Sequence, residues 1–264
     1  LPDIDNGEFV KAFNMKMDLR MGNGTTDRPA DGISINFART EGPGVDGDPM
    51  LADLDGGSAT QNNAAAGCCA ETGTSTGVAV SFDTWAGNSL PDGPDIEGVI
   101  VRVDNKTVGR FGMPVRHGSP DDIKSLQTGP IGGSADAPDA ERGDPTILSW
   151  VPLEVDVNEL GILNVNYKNQ PLVENFDSGF FPSPGQIVLM GRTGGANEVH
   201  HIDNLTLKTE LADEPVITGL QSTADSFSIT FRDVGNAKVV ADSIAVSLDG
   251  EDVTGSLEVS KDGM

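Results

Sequence analysis

Between residues 83 and 95 the chain gathers Asp83, Asn88, Asp92 and Asp95, with Gly87 and Gly93 letting the backbone turn. Side-chain carboxylate and amide oxygens are hard ligands, and Ca²⁺ takes up about 6–8 such oxygens at roughly 2.3–2.6 Å. In an acidic chain the same residues also make an ordinary solvated turn, and both readings are open at this point. The element that must position them comes just before. Val78, Val80 and Phe82 alternate with Ala79, Ser81 and Asp83, the period of a half-buried strand.

The rest of the chain is built from similar pieces. Phe13, Met15, Met17, Leu19 and Met21 alternate with Asn14, Lys16, Asp18 and Arg20, and Gly22-Asn23-Gly24 ends the run. Ile33, Ile35 and Phe37 mark a second strand. Residues 96–103, 108–115, 147–157, 162–167, 187–190 and 202–207 read as others. Residues 40–76 lack an apolar pattern and read as long loops around a short strand near 50–54. Residues 117–146, rich in Gly, Pro and Asp, read as a surface excursion. No segment combines a helical period with caps, so the expected fold class is all-β, a β-sandwich or jelly roll.

A shift in composition at residues 210–215 reads as a linker, giving expected domains 1–211 and 212–264. In the second, Ile217, Leu220, Phe227, Ile229 and Phe231 alternate, followed by Ile244, Val246, Leu248 and a turn at Asp249-Gly250. About four strands fall short of the roughly seven of an Ig-type sandwich. The reading is a partial Ig-like or fibronectin-like β module, whose unpaired edge a neighbouring module or subunit would cover.

Asp and Glu number 41 against 17 Lys and Arg, a net charge of −24. Such a surface repels phosphate backbones and anionic lipid, which argues against nucleic acid as a partner. No stretch is apolar and long enough to insert in a membrane. A secreted or cell-surface location is expected, and a first residue Leu1 rather than Met is in keeping with a removed leader. Cys68 and Cys69 are adjacent; a strained bridge between neighbours and two free thiols are both open. Two cysteines and three histidines are too few for a convincing zinc site.

Four stretches in order resemble the concanavalin A-like sandwich of the L-type lectins, the legume lectins and their animal relatives. Pro29-Ala30-Asp31-Gly32-Ile33 with Phe37-Ala38 is similar to that family's PADG-plus-strand motif, Gly56-Gly57 to its glycine pair, residues 80–88 to its metal strand and loop, and GRTGGANEVHHIDNL at 191–205 to its later loop. Trp150 and Tyr167 bound a segment that fits the strand pair before that loop. The resemblance spans residues 7–209. It implies a non-catalytic carbohydrate-binding domain organised by Ca²⁺, with a glycan or polysaccharide as partner. Asp83, the carbonyl of Trp85, Asn88 and Asp92 would hold the ion. Asp31, preceded by a cis peptide, Gly57, Asn88 and the Gly194-Gly195-Ala196-Asn197 backbone would form a shallow sugar pocket. One extra residue between Trp85 and Asn88 requires the loop to bulge. Ser81 stands where legume members carry a transition-metal Glu, so one metal is expected rather than two. The chemistry is consistent, because sugar hydroxyls need both an acceptor, such as the Asp31 carboxylate, and amide donors.

Two rivals stand beside that reading. ExDxxE at Glu154, Asp156 and Glu159 resembles the catalytic strand of sandwich-fold β-glucanases, with Glu154 and Glu159 as the working pair. Strand alternation puts Glu154 and Asp156 on one face, but Glu159 joins them only through a bulge. The other rival is a structural or adhesive β module of a surface assembly. Of the paired histidines, His200 and His201 must face opposite ways on a strand, one held and one exposed.

Overall fold

The alternating stretches pair into two antiparallel sheets. The structure, a computed structural model, describes residues 7–41, 70–87, 93–133 and 136–260. In chain order the strands of the first unit are β1 (Val10–Gly22), β2 (Gly32–Arg39), β3 (Val78–Asp83), β4 (Gly98–Val103), β5 (Lys106–Gly112), β6 (Val151–Val157), β7 (Ile162–Tyr167), β8 (Gln170–Asp177), β9 (Gly185–Arg192) and β10 (Val199–Leu211). One sheet has the order β10-β1-β6-β7-β8 and the other β5-β4-β3-β2-β9. The fold is the all-β sandwich of two five-stranded sheets expected from the sequence.

One core lies between the sheets. Phe13, Met15, Met17, Leu19 and Met21 of β1 and Val151, Leu153, Val155 and Val157 of β6 meet Ile33, Ile35, Phe37, Val80, Phe82, Val99 and Val101 of the other sheet. Phe13 and Phe37 stack across it with centroids 4.9 Å apart, and Phe180 meets both edge-on. Burying such apolar area supplies most of the driving force for this packing.

β3 departs from expectation. It is buried on both faces, as are β2 and most of β4. The face away from the core is made of small and polar residues, and residues 70–76 lie on it. Ser34 donates to the Ala70 carbonyl at 2.7 Å, Ser81 donates to the Glu71 carbonyl, and the Thr74 N–H donates to Asn36 at 3.1 Å. Gly73 makes the close approach possible, since a Cβ there would lie 2.4 Å from the Ala79 Cβ and φ is +106°. The short strand near 50–54 and both cysteines lie outside the described residues.

Residues 117–146 are likewise more than a surface excursion. Ser125, Leu126, Gln127 and Thr128 are all buried. Their polar groups are satisfied from within: Tyr167 donates its hydroxyl to the Leu126 carbonyl at 2.5 Å, and buried Lys168 donates to the carbonyls of Asp122, Ser125 and Gln127 at 2.9, 2.8 and 2.7 Å. Burial pushes the Lys168 ammonium down to about 8 against the pull of Asp122.

The chain divides into two units, Leu1–Leu211 and Ala212–Met264. The second contains a hairpin of β11 (Val216–Ser222) and β12 (Phe227–Arg232) and a two-residue ladder of β13 (Ser247–Leu248) and β14 (Glu251–Asp252). Asp249 and Gly250 turn the latter at φ +52° and +86°, the left-handed pair of a tight hairpin turn. The strand expected through Ile244 and Val246 is confined to Ser247 and Leu248; a short 3₁₀ turn, Ala241–Ser243, precedes it. Among the described residues no helix is long and apolar enough to cross a membrane.

Candidate functional site

Three strand ends converge beside Asp31. Gly32, the first residue of β2, pairs with Asp83 at the end of β3 and with Arg192 at the end of β9. Gly32 has φ +140°, and a Cβ there would lie 2.3 Å from the Phe82 carbonyl oxygen, so the crossing demands glycine. The Ala30–Asp31 peptide is cis. The Asp31 N–H donates to the Arg192 carbonyl at 2.9 Å, and the Asp31 carbonyl accepts from the Thr84 N–H at 3.0 Å. The backbone of Asp31 is thus held from both sides by the strands that flank it.

Its side chain is mostly buried. Asp31 Oδ2 is enclosed yet accepts no hydrogen bond; Arg192 Nε stands 3.4 Å away. Burial raises the Asp31 carboxyl above its ordinary range, Arg192 draws it down, and Glu198 adds to the rise. Arg192 also faces Glu71 at 3.3 Å, and Glu71 Oε2 is a second enclosed oxygen without a hydrogen-bond donor. Burial raises Glu71 as well. One guanidinium therefore faces two carboxyls, and enclosed oxygens that accept no hydrogen bond are costly unless a ligand or proton completes them.

The loop after β9 closes one side. A Cβ on Gly194 would lie 3.4 Å from Asp31 Oδ2, and one on Gly195 would meet nothing within 4 Å, so this rim is open and made of bare backbone. The Gly194 N–H is turned to the Ala196 carbonyl at 2.9 Å. Asn197 is committed elsewhere: its side chain accepts from the Thr25 N–H at 2.8 Å, and its own N–H donates to Thr26 Oγ1 at 3.0 Å. Of the expected pocket residues, Asp31 and Gly194 come together, while Asn197 fastens the loop to residues 24–26. Gly57 and Asn88 lie outside the described residues.

On the cation side, Asp83 is 3% exposed and accepts the Trp85 N–H at 2.9 Å. Burial raises its carboxyl well above the ordinary range, and Asp95 beside it pushes the same way. Asp95 is raised by burial, opposed by the N–H of Gly87, which donates to it at 2.7 Å. Both carboxyls are thus pushed toward the protonated form, Asp83 as the deeper of the two most strongly. Asp92 lies outside the described residues, and among the described ones no three His, Cys, Asp or Glu side chains are grouped as a metal site. Two neighbouring carboxyls disfavoured as a pair of anions are nonetheless a donor set that a hard cation can satisfy. The Trp85 ring is not a free stacking face, since the Arg28 guanidinium lies 3.8 Å above its centre and is held in turn by Glu97 at 2.9 Å.

Glu154 and Glu159, the expected hydrolase pair, take different partners. Glu154 and Asp156 do share the outer face of β6, where Asn14 donates to both at 2.7 and 2.9 Å. Glu159 sits beyond the strand, paired with Lys11 at 3.6 Å, whereas Glu154 pairs with Lys16 at 3.1 Å. The Asn14 hydrogen bond also lowers the Glu154 carboxyl, the wrong direction for a proton donor.

Sequence reasoning passed over Glu71, Arg192 and Gln127 and gave Glu198 no role of its own. Glu71 lies in a segment without apolar pattern, so nothing marked it. Arg192 and Glu198 bracket the glycine loop that was singled out, and a charge at each end of such a loop was the available signal. His200 is held by Glu198 at 2.9 Å and His201 is exposed, accepting from Arg20 at 3.0 Å, the split expected for neighbours on a strand.

No protein-family model and no curated protein matches the chain. Among solved structures it is similar to the exoplasmic/lumenal domain of VIP36 in a Ca²⁺- and mannose-bound form (14% identity, 90% of this chain and 80% of that one, TM-score 0.42). It is similar also to the Emp47p carbohydrate recognition domain (17% identity, 78% and 75%, TM-score 0.40). A third is lectin II from Ulex europaeus (13% identity, 76% and 73%, TM-score 0.38). At such identities, what this chain binds has to be argued from its own residues.

Proposed function

We propose that the Leu1–Leu211 unit is a non-catalytic, lectin-like domain that binds glycan through the Asp31 pocket and is organised by Ca²⁺. The observation that carries the reading is the Asp31 carboxylate, whose Oδ2 accepts no hydrogen bond, beside the bare backbone at Gly194 and Gly195. A sugar hydroxyl would donate to the part of the Asp31 carboxylate that stays open, while loop amides and the Arg192 guanidinium would supply donors in return. Ca²⁺, held by Asp83, the Trp85 carbonyl, Asn88 and Asp92, would satisfy the pair of Asp83 and Asp95 and fix the loop against Asp31. The ion supplies charge and geometry; contact with the sugar falls to the protein. Gly57 and Asn88 complete the proposed pocket, and the −24 charge suits a secreted or cell-surface protein in calcium-containing surroundings.

A glycan array tests the pocket. Wild type in millimolar Ca²⁺ retains a subset of glycans, and the signals vanish with chelator or in Asp31→Ala. Equal signals from wild type and Asp31→Ala would remove Asp31 from the site. Calorimetry tests the ion separately: Ca²⁺ raises the melting temperature if the folded state binds it.

A second role, in surface assembly, is proposed for the Ala212–Met264 unit as a partial Ig-like module. Its short ladders leave Leu220, Val240, Leu248 and Val259 each more than half exposed, at 58%, 60%, 55% and 58%, and exposed apolar groups of this kind suit a covering neighbour.

A further inference from the structure

Glu198 has a side chain with no solvent exposure, and it accepts hydrogen bonds from three directions. Thr84 Oγ–H donates to Oε1, His200 Nε2 donates to the same oxygen at 2.9 Å, and Gln127 Nε2 reaches Oε2 at 3.5 Å. A carboxyl this deep is tolerated only because donors surround it. Thr84 carries two of the ties at once. Its hydroxyl holds Glu198 and its N–H holds the Asp31 carbonyl at 3.0 Å, while the Asp31 N–H holds the Arg192 carbonyl at 2.9 Å. The circuit closes on itself, because Arg192 and Glu198 are the two ends of the loop carrying Gly194 and Gly195.

We infer that Glu198 is the positioning residue of the site: through Thr84 it ties the far end of the glycine loop to the Asp31 backbone and to the end of β3. Without it the loop is fastened to Asp31 only at Arg192. A carboxyl suits the position because both its oxygens accept; a glutamine would turn an NH₂ group on one of the donors. Gln127 adds a second anchorage, since its own carbonyl is held by Lys168 at 2.7 Å. The tie rests on the geometry alone, while its consequence for ligand binding rests on the glycan-binding reading.

Amide hydrogen exchange, followed by NMR on the full chain, separates the two. Thr84→Val and Glu198→Gln are each expected to speed exchange at the Asp31 and Thr84 amides about tenfold, with Val155 and Val165 in the opposite sheet unchanged. Thr84→Ser, which keeps the hydroxyl, restores wild-type exchange. Where wild type binds Ca²⁺ or glycan, affinity falls in the same order. Unchanged exchange at Asp31 and Thr84 in both variants, or equal acceleration at every amide, overturns the inference. Local acceleration in a protein whose wild type binds neither Ca²⁺ nor glycan supports the tie and defeats the functional reading instead.

Discussion

Arg192 Nε stands 3.4 Å from Asp31 Oδ2, and Nη1 of the same guanidinium stands 3.3 Å from Glu71 Oε1. Both separations exceed those of a strong charge-assisted hydrogen bond, so the one cation balances two buried acids without saturating either. Arg192→Gln should therefore cost about 1–2 kcal/mol at pH 7, less than a fully buried pair because the guanidinium is partly solvated. The loss should shrink toward pH 5, as Asp31 and Glu71 take up protons. Thermal unfolding of the metal-free variant across that range checks it.

The acid pair gives a sign for pH. Asp83 and Asp95 have folded-state values raised above their ordinary ones. The native state then binds more protons than the unfolded state, and stability falls as pH rises through the raised values. Metal-free protein should melt at higher temperature in mild acid than at neutral pH. Asp83→Asn should flatten that slope, and Ca²⁺ should restore stability at neutral pH in wild type. A melting temperature that rises from mild acid to neutrality, with chelator present, would count against a raised pair.

Lys168→Met leaves three backbone carbonyls in the interior without their donor. The expected loss is about 3 kcal/mol, read from denaturant unfolding. Lys168→Arg should not rescue it, because a planar fork cannot reproduce the three-way geometry of an ammonium.

Gly24→Ala places a Cβ 1.7 Å from the Asn197 carbonyl oxygen. The loop from Gly194 onward must shift to admit it. Glycan affinity should drop at least tenfold, by about 1.4 kcal/mol, while the far-ultraviolet spectrum stays that of a β protein.

Strands β1, β2, β6 and β7 were legible because in each the apolar residues that face the core alternate with polar ones on the other side. β8 was not: Pro171 and Glu174-Asn175 break the alternation, Asn175 has φ +51°, and the pairing with β7 slips in register. The interior run of Ser125, Gln127 and Thr128 was hidden for another reason. It is held by hydrogen bonds, from Lys168 to Ser125 and Gln127 and from Met21 to Thr128, and a polar run reads as surface when its donors lie more than 40 positions away. At the site, Asp31 and the glycine loop could be picked out by motif. Glu71 could not, since what brings it there is the cover that residues 70–76 lay over β3.

That cover has an outcome for how the chain tolerates change. In a saturation map of single substitutions, β6 should show a dashed line, intolerant at Val151, Leu153, Val155 and Val157 and permissive between them. β3 should show an unbroken one from Val78 to Asp83. The strand that delivers Asp83 has no side facing water, so a lineage could alter it only by altering the segment laid over it as well.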